Sequence, residues 1–277
     1  MKTISRELLR PVTWSLAVFV VFGAGLWLFG VWHDEWSGYN WSTRISDGVC
    51  NIAVVPIVGD ITTIGTTESG SDPVVNSDDI LATLRMAEQE QEVAGILVRI
   101  DSLGGGPVAA ELIADALKRS SKPTVAVIRE YGDSGGYLIA TGANTIIASP
   151  FSDVGSIGIT MSYLENTGQN ANNGLRFVQL SSGKFKDIGN PDKPLTEDER
   201  LLFERDLKIF HDVFVQKVAT NRDLSLATVA KLADGSSMPG ALALQNKLID
   251  MLGDQETSRE VFAAKLGLNS EDISFCE

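Results

Sequence analysis

Residues 94–128 read AGILVRIDSLGGGPVAAELIADALKRSSKPTVAVI. The flanks, AGILVRI (94–100) and PTVAVI (123–128), are short, apolar almost throughout and rich in β-branched side chains, as strands buried on both faces require. Between them residues 108–119 carry apolar positions at helical spacing. A strand, a helix and a second strand within 35 residues make a βαβ unit, so the fold class is α/β, a parallel sheet with helices outside it. Further out, NIAVVPIV (51–58) and NTIIA (144–148) supply more strands, and residues 78–91 a second helix. Residues 62–76, rich in Gly, Ser and Thr, read as a surface loop. The carboxyl-terminal part is helical. Thr196-Glu197-Asp198-Glu199 forms a capping box that starts a helix running to about Asn221, and residues 225–234, 238–248 and 258–266 follow as helices. No motif recurs, so the chain is a single unit.

Three glycine-rich turns follow apolar strands: 102–106 (SLGGG), 132–136 (GDSGG) and 155–158 (GSIG). In an open parallel sheet the carboxyl ends of strands border one crevice, where such turns can converge. Ser134 sits in the second turn as a candidate nucleophile, and a serine hydroxyl needs a neighbouring base. Both familiar readings of Gly132-Asp133-Ser134-Gly135-Gly136, the chymotrypsin-type sequence and the G-x-S-x-G elbow, require histidine. The chain has two. His33 ends an apolar run with no catalytic domain around it, and His211 shares the polar face of its helix with Glu204 and Lys208, opposite Phe203, Leu207, Phe210, Val213 and Phe214. It reads as a solvated surface histidine, so a Ser-Lys dyad is the better reading. A lysine stands 52 positions after the serine, in Gly183-Lys184-Phe185-Lys186-Asp187, but spacing alone does not single out a base. A lysine acting as base must be neutral, which calls for burial. Backbone amides of Gly135 and of Gly104 or Gly105 are placed to form an oxyanion hole. The glycine run 104–106 lacks the Lys-Ser/Thr ending of a nucleotide-binding loop.

The 277 residues carry a net charge of −13 with no basic cluster, which argues against a nucleic-acid partner. Residues 12–32 (VTWSLAVFVVFGAGLWLFGVW) are uncharged and long enough for a helix to cross about 30 Å of hydrocarbon. Lys2, Arg6 and Arg10 precede them and Asp34 and Glu35 follow, so residues 1–11 are expected in the cytoplasm. The layout is then a transmembrane anchor at 12–32, a membrane-proximal linker at 33–49 and an exported domain at 50–277. The alternative, a cleaved signal peptide, is disfavoured by the length of the run and the lack of an A-x-A site. Cys50 and Cys276 lie near opposite ends of the exported part; oxidising surroundings would permit a disulfide between them, but sequence separation says nothing about distance, so the pairing stays open with unpaired as the default.

Residues 134–140 (SGGYLIA), 147–150 (IASP) and 154–159 (VGSIGI) resemble the serine region of the signal peptide peptidase A family. Residues 183–187 resemble its lysine segment, and 232–235 (LADG) through 248–253 (LIDMLG) its carboxyl-terminal signature. The resemblance implies a Clp-protease or crotonase-like fold, with Ser134 as nucleophile and Lys186 as general base. By the same likeness Ser156 orients the lysine, and Gly105 and Gly135 supply oxyanion amides. No cofactor or metal is implied. It also implies a ring-like homo-oligomer, eight subunits being the expectation, in which neighbouring chains supply Ser134 and Lys186. The implied substrates are leftover signal peptides and other apolar peptides, cleaved at the membrane. Two positions depart from the family: Asp133, where a small residue is usual, and Leu103, where proline is commoner. Asp133 is the sole support for a competing reading, a membrane-anchored scaffold that keeps the protease fold without its activity. A crotonase-type acyl-CoA enzyme is disfavoured by export, since that cofactor is cytoplasmic.

Overall fold

In the computed structural model, which describes residues 44–64 and 73–276, the apolar runs become strands of one sheet. The strands are β1 (Ile52–Thr62), β2 (Val74–Asn76), β3 (Gly95–Gly105), β4 (Thr124–Asp133), β5 (Thr145–Ala148), β6 (Asp153–Gly155), β7 (Ser237–Pro239), β8 (Met251–Leu252) and β9 (Phe275–Cys276). The helices are α1 (Ser77–Gln89), α2 (Pro107–Lys118), α3 (Gly135–Thr141), α4 (Thr167–Asn172), α5 (Glu197–Arg222), α6 (Leu226–Leu232), α7 (Gly240–Gln245) and α8 (Gln255–Leu266). The central order is β2-β1-β3-β4-β5-β8, with parallel pairing along it. The first half of β4 pairs with β5 and its last three residues with β6. That switch of partner opens the sheet at Ser134, where β4 ends.

Alternation along the strands feeds two apolar layers. Ile96, Val98, Ile100, Ala126 and Ile128 join the larger core, with Ile113 and Leu117 of α2, Leu138 of α3 and Phe214 of α5. Leu97, Val125, Val127 and Ile147 pack on the opposite face against Phe262 and Ala263 of α8. Helices therefore cover both faces, as a parallel sheet requires. The capping box at Thr196 is present. Its hydroxyl accepts from the Glu199 amide at 3.4 Å, and the Glu199 carboxylate accepts from the Thr196 amide at 3.0 Å. Among the described residues no helix is long and apolar enough to cross a membrane. The expected anchor at 12–32, the cytoplasmic residues 1–11, His33, most of the linker and Glu277 lie outside the described residues. At the linker's end, the Ile45 and Ser46 amides donate to the Glu90 carboxylate.

Three sequence expectations are corrected. Residues 238–248 are not one helix. Met238 pairs antiparallel with Val154, which leaves Gly240–Gln245 as the helical part. Val74–Asn76, read as part of a loop, pairs with β1, while residues 65–72 of that stretch lie outside the described part. Cys50 and Cys276 are joined in a disulfide with Cα atoms 5.1 Å apart. Pairing of Ile52 and Ala53 with Phe275 and Cys276 brings the end of the chain beside the start of β1. The sequence gives little sign of this, because a two-residue strand has no period. Cross-linking residues so distant in sequence restricts the unfolded chain. Cys276→Ser, or reduction of the wild type, is expected to lower stability by about 2–4 kcal/mol in chemical denaturation.

Candidate active site

Ser134 is built by its backbone. Its amide donates to the Gly155 carbonyl at 2.8 Å, continuing the β4–β6 pairing, while its carbonyl accepts from Leu138 at 2.9 Å and opens α3. One residue thus closes a strand and starts a helix. Its dihedrals are φ 47° and ψ −117°, where a side chain is uncommon. A sharp strand-to-helix turn of this kind exposes a serine hydroxyl at the sheet's end. Holding it costs about 1–3 kcal/mol, borne by the surrounding pairing.

The glycine turn after β3 lies against it. A side chain at Gly104 would come within 2.8 Å of Ser134 Cβ and 3.0 Å of the Gly135 nitrogen. One at Gly135 would lie 3.4 Å from the Gly105 nitrogen. The two amide-bearing turns therefore touch, and glycine is what lets them. Buried Ser102 pins the first turn. Its hydroxyl donates to Gly59 O at 2.6 Å and accepts from the Gly104 amide at 3.1 Å.

Two cavities meet at Ser134. The first, about 270 Å³, is apolar and lined by Val108, Leu138, Ile159, Phe210 and Val213, with Glu111 and Lys217 also on its wall. The second, about 790 Å³, holds Ser134, Ser156, Thr160, His211 and Asp234. Ser156 has φ 47°, and its hydroxyl donates to Gly235 O at 3.1 Å. Phe210 and Val213 are about half exposed and line cavities, whereas Val215 and Val218 pack in the core and Phe214 borders both. An apolar stripe on a helix looks the same in sequence whether it packs or borders a groove.

His211 is not the freely solvated side chain its helical face suggests. It is half-buried in the second cavity, with Nε2 2.9 Å from Ala233 O. A carbonyl only accepts, so in the neutral ring Nε2 carries the proton and Nδ1 the lone pair. Nδ1 lies 3.8 Å from Asp212. Among the described residues His211 makes no hydrogen bond to Ser134.

Lys186 is exposed and lines neither cavity at Ser134. Within one chain the structure brings together Ser134, Gly105, Gly135 and Ser156, but not Lys186. The chain that follows it is tied down. Lys193 Nζ meets the buried Glu199 carboxylate at 2.5 Å, and the Asn166 amide donates to Pro191 O at 2.7 Å. Lys184 is held by Asp198 at 2.5 Å, whereas Lys186 makes no ion pair among the described residues.

Asp133, directly before the nucleophile candidate, is 5% exposed, and its Oδ1 has no hydrogen-bond partner. Burial first, and the Asp153 carboxylate second, push its carboxyl up to about 6. The folded chain holds this proton to higher pH than the unfolded chain, which releases it near 4. The associated stability is complete below about pH 4 and is lost as pH rises through about 6. Asp133→Asn is expected to leave stability unchanged at pH 3.5, by order of magnitude, and to raise it by about 2–3 kcal/mol above pH 7. Denaturation of both proteins across that range measures the difference.

The peptidase family S49 model matches residues 116–269, more than half of the chain. A provisionally named signal peptide peptidase SppA of Enterococcus faecium is 29% identical over 217 residues, 76% of this chain and 63% of that one. A provisionally named protease of Synechocystis is 33% identical, over 70% of each chain. The chloroplastic serine protease SPPA of Arabidopsis thaliana is 26% identical over 86% of this chain and 35% of its own length. The chain thus spans only about a third to two-thirds of the length of several such relatives. A solved structure of ClpP1 from Listeria monocytogenes superposes with a TM-score of 0.48 at 14% identity, covering 73% of this chain and 91% of that one. With a serine turn at the end of β4, glycine amides against it and this family match, the chain belongs to peptidase family S49, the signal peptide peptidase A family.

Proposed function

We propose that this S49 peptidase is a membrane-anchored serine endopeptidase that cleaves remnant signal peptides and other apolar peptides through a Ser134–Lys186 dyad. The observation that carries the reading is the Ser134 turn, with the Gly105 and Gly135 backbones packed against it and an apolar cavity opening beside it. Ser134 Oγ attacks the scissile carbonyl carbon while the neutral amine of Lys186 takes its proton. The oxyanion forms against the Gly105 and Gly135 amides, where one donor is worth about 2.7–4 kcal/mol of barrier. Collapse breaks the carbon–nitrogen bond, and the Lys186 ammonium returns the proton to the leaving amine. Water, deprotonated by the same lysine, then hydrolyses the ester and restores Ser134. Ser156 holds the amine in line, and the first cavity takes the apolar side chain before the scissile bond.

Lys186 comes from a neighbouring chain in this reading, within a ring expected to hold eight copies on a Clp-protease or crotonase-like scaffold. Support comes from its exposed position away from both cavities and from exposed apolar side chains in the stretch of chain that precedes it. Leu164, Leu175, Val178 and Leu180 are all more than 60% exposed. A monomer rarely leaves so many large apolar side chains of one stretch in water. Burial in such an interface would also remove water from the amine, as a lysine base needs. The anchor at 12–32, with the amino terminus in the cytoplasm and the catalytic domain outside, completes the reading, and the Cys50–Cys276 disulfide is in keeping with an oxidising compartment.

A buried carboxylate next to the nucleophile also suits the scaffold reading, and a serine-directed phosphonate probe separates the two, since a scaffold stays unlabelled. Ser134→Ala and Lys186→Ala are each expected to lower hydrolysis of a synthetic signal peptide by at least about a thousandfold, with folding intact. Lys184→Ala should keep most of the activity, because its ammonium is committed to Asp198. Substantial turnover by the Lys186 variant would remove it from the dyad.

A further inference from the structure

The first cavity is apolar along its length but not at its far end. On α5, Phe210, Val213, Phe214 and Lys217 share one face. Phe210 lines both cavities at Ser134, and Lys217 stands two turns further, about 10 Å along the axis. There Lys217 Nζ meets Glu111 Oε1 at 3.0 Å and the two oxygens of Asp115 at 2.8 and 2.9 Å, both acids carried by α2. Glu111 and Lys217 are on the cavity wall, and Asp115 lies outside it, where both its oxygens engage the ammonium. Glu111 Oε2 takes no part in these contacts. Partial burial works against the charge on Lys217, but the bonds to Asp115 and Glu111 outweigh it, so the ammonium stays charged.

We propose that Glu111, Asp115 and Lys217 set the specificity of this cavity, favouring a substrate side chain with an apolar stem and a cationic end over one with an anionic end. The inference rests on the reading of Ser134 as nucleophile and goes beyond a preference for apolar side chains. A lysine or arginine would lay its methylene stem along Val108, Leu138 and Val213 and bring its head to the Glu111 carboxylate. A glutamate of similar reach would meet the Glu111 carboxylate and an ammonium already engaged by Asp115, and repulsion at a binding site discriminates as well as attraction does. Glu111 and Asp115 are 41% and 37% exposed, so water screens both effects. The expected discrimination is therefore about tenfold rather than absolute.

The test uses the full chain in detergent and three peptides that differ only in the residue before the cleaved bond: leucine, lysine or glutamate. In the wild type, kcat/KM for the lysine peptide should exceed that for the glutamate peptide by about tenfold. Lys217→Met removes the competing ammonium and should raise the lysine-to-leucine ratio several-fold. Glu111→Gln should lower it. Opposite shifts in the two variants support the proposal, because a general disturbance of the helix pair would move all three peptides together. Ratios unchanged within twofold in both variants, or shifted the same way, would overturn it while leaving Ser134-dependent cleavage of the leucine peptide intact. Cleavage of that peptide by Ser134→Ala would overturn the serine reading and this proposal with it.

Discussion

The hydrogen bond from the Ser134 amide to the Gly155 carbonyl fixes most of what is functional in this chain. It commits the Ser134 nitrogen to β6, so the amide left at the turn's outer face is that of Gly135. It also holds Ser134 at positive φ, directing the hydroxyl toward the space between α2 and α5 where the two cavities meet. β6 is available for this bond because β5 pairs only with the first half of β4. Loss of that switch would leave Ser134 inside a continuous strand, with its side chain packed like its neighbours.

Electrostatics work against stability at the same place. A buried carboxyl at Asp133 with an unpartnered Oδ1 is a poor choice for a strand end, and burial raises its proton affinity by disfavouring the charged form. Buried polar groups without partners are few in folded proteins and cluster where function overrides stability.

The sheet was legible because its strands are continuous apolar runs of β-branched residues, and the capping box because its signature is local. The glycine turns were legible as turns, and their convergence followed from the parallel sheet. What escaped was non-local or short. The disulfide depends on a two-residue strand, and the break at Pro239 depends on Met238 finding β6. His211 is half-buried because the turn at Ala233 folds back over a helix face that looks solvated by periodicity. The groove along Phe210 and Val213 was hidden in a stripe that reads as core. Lys186 was singled out by family likeness and not by any physical signal in its neighbourhood, which in one chain is exposed.

The central claim is that one active site joins Ser134 of one chain to Lys186 of the next. Co-expressing Ser134→Ala and Lys186→Ala chains tests it directly, with ring size followed by sedimentation and turnover by peptide hydrolysis. In a randomly mixed head-to-tail ring about one interface in four joins two intact residues, so the account predicts recovery of roughly a quarter of wild-type activity from two inactive parents. No activity in rings shown to be mixed would contradict it.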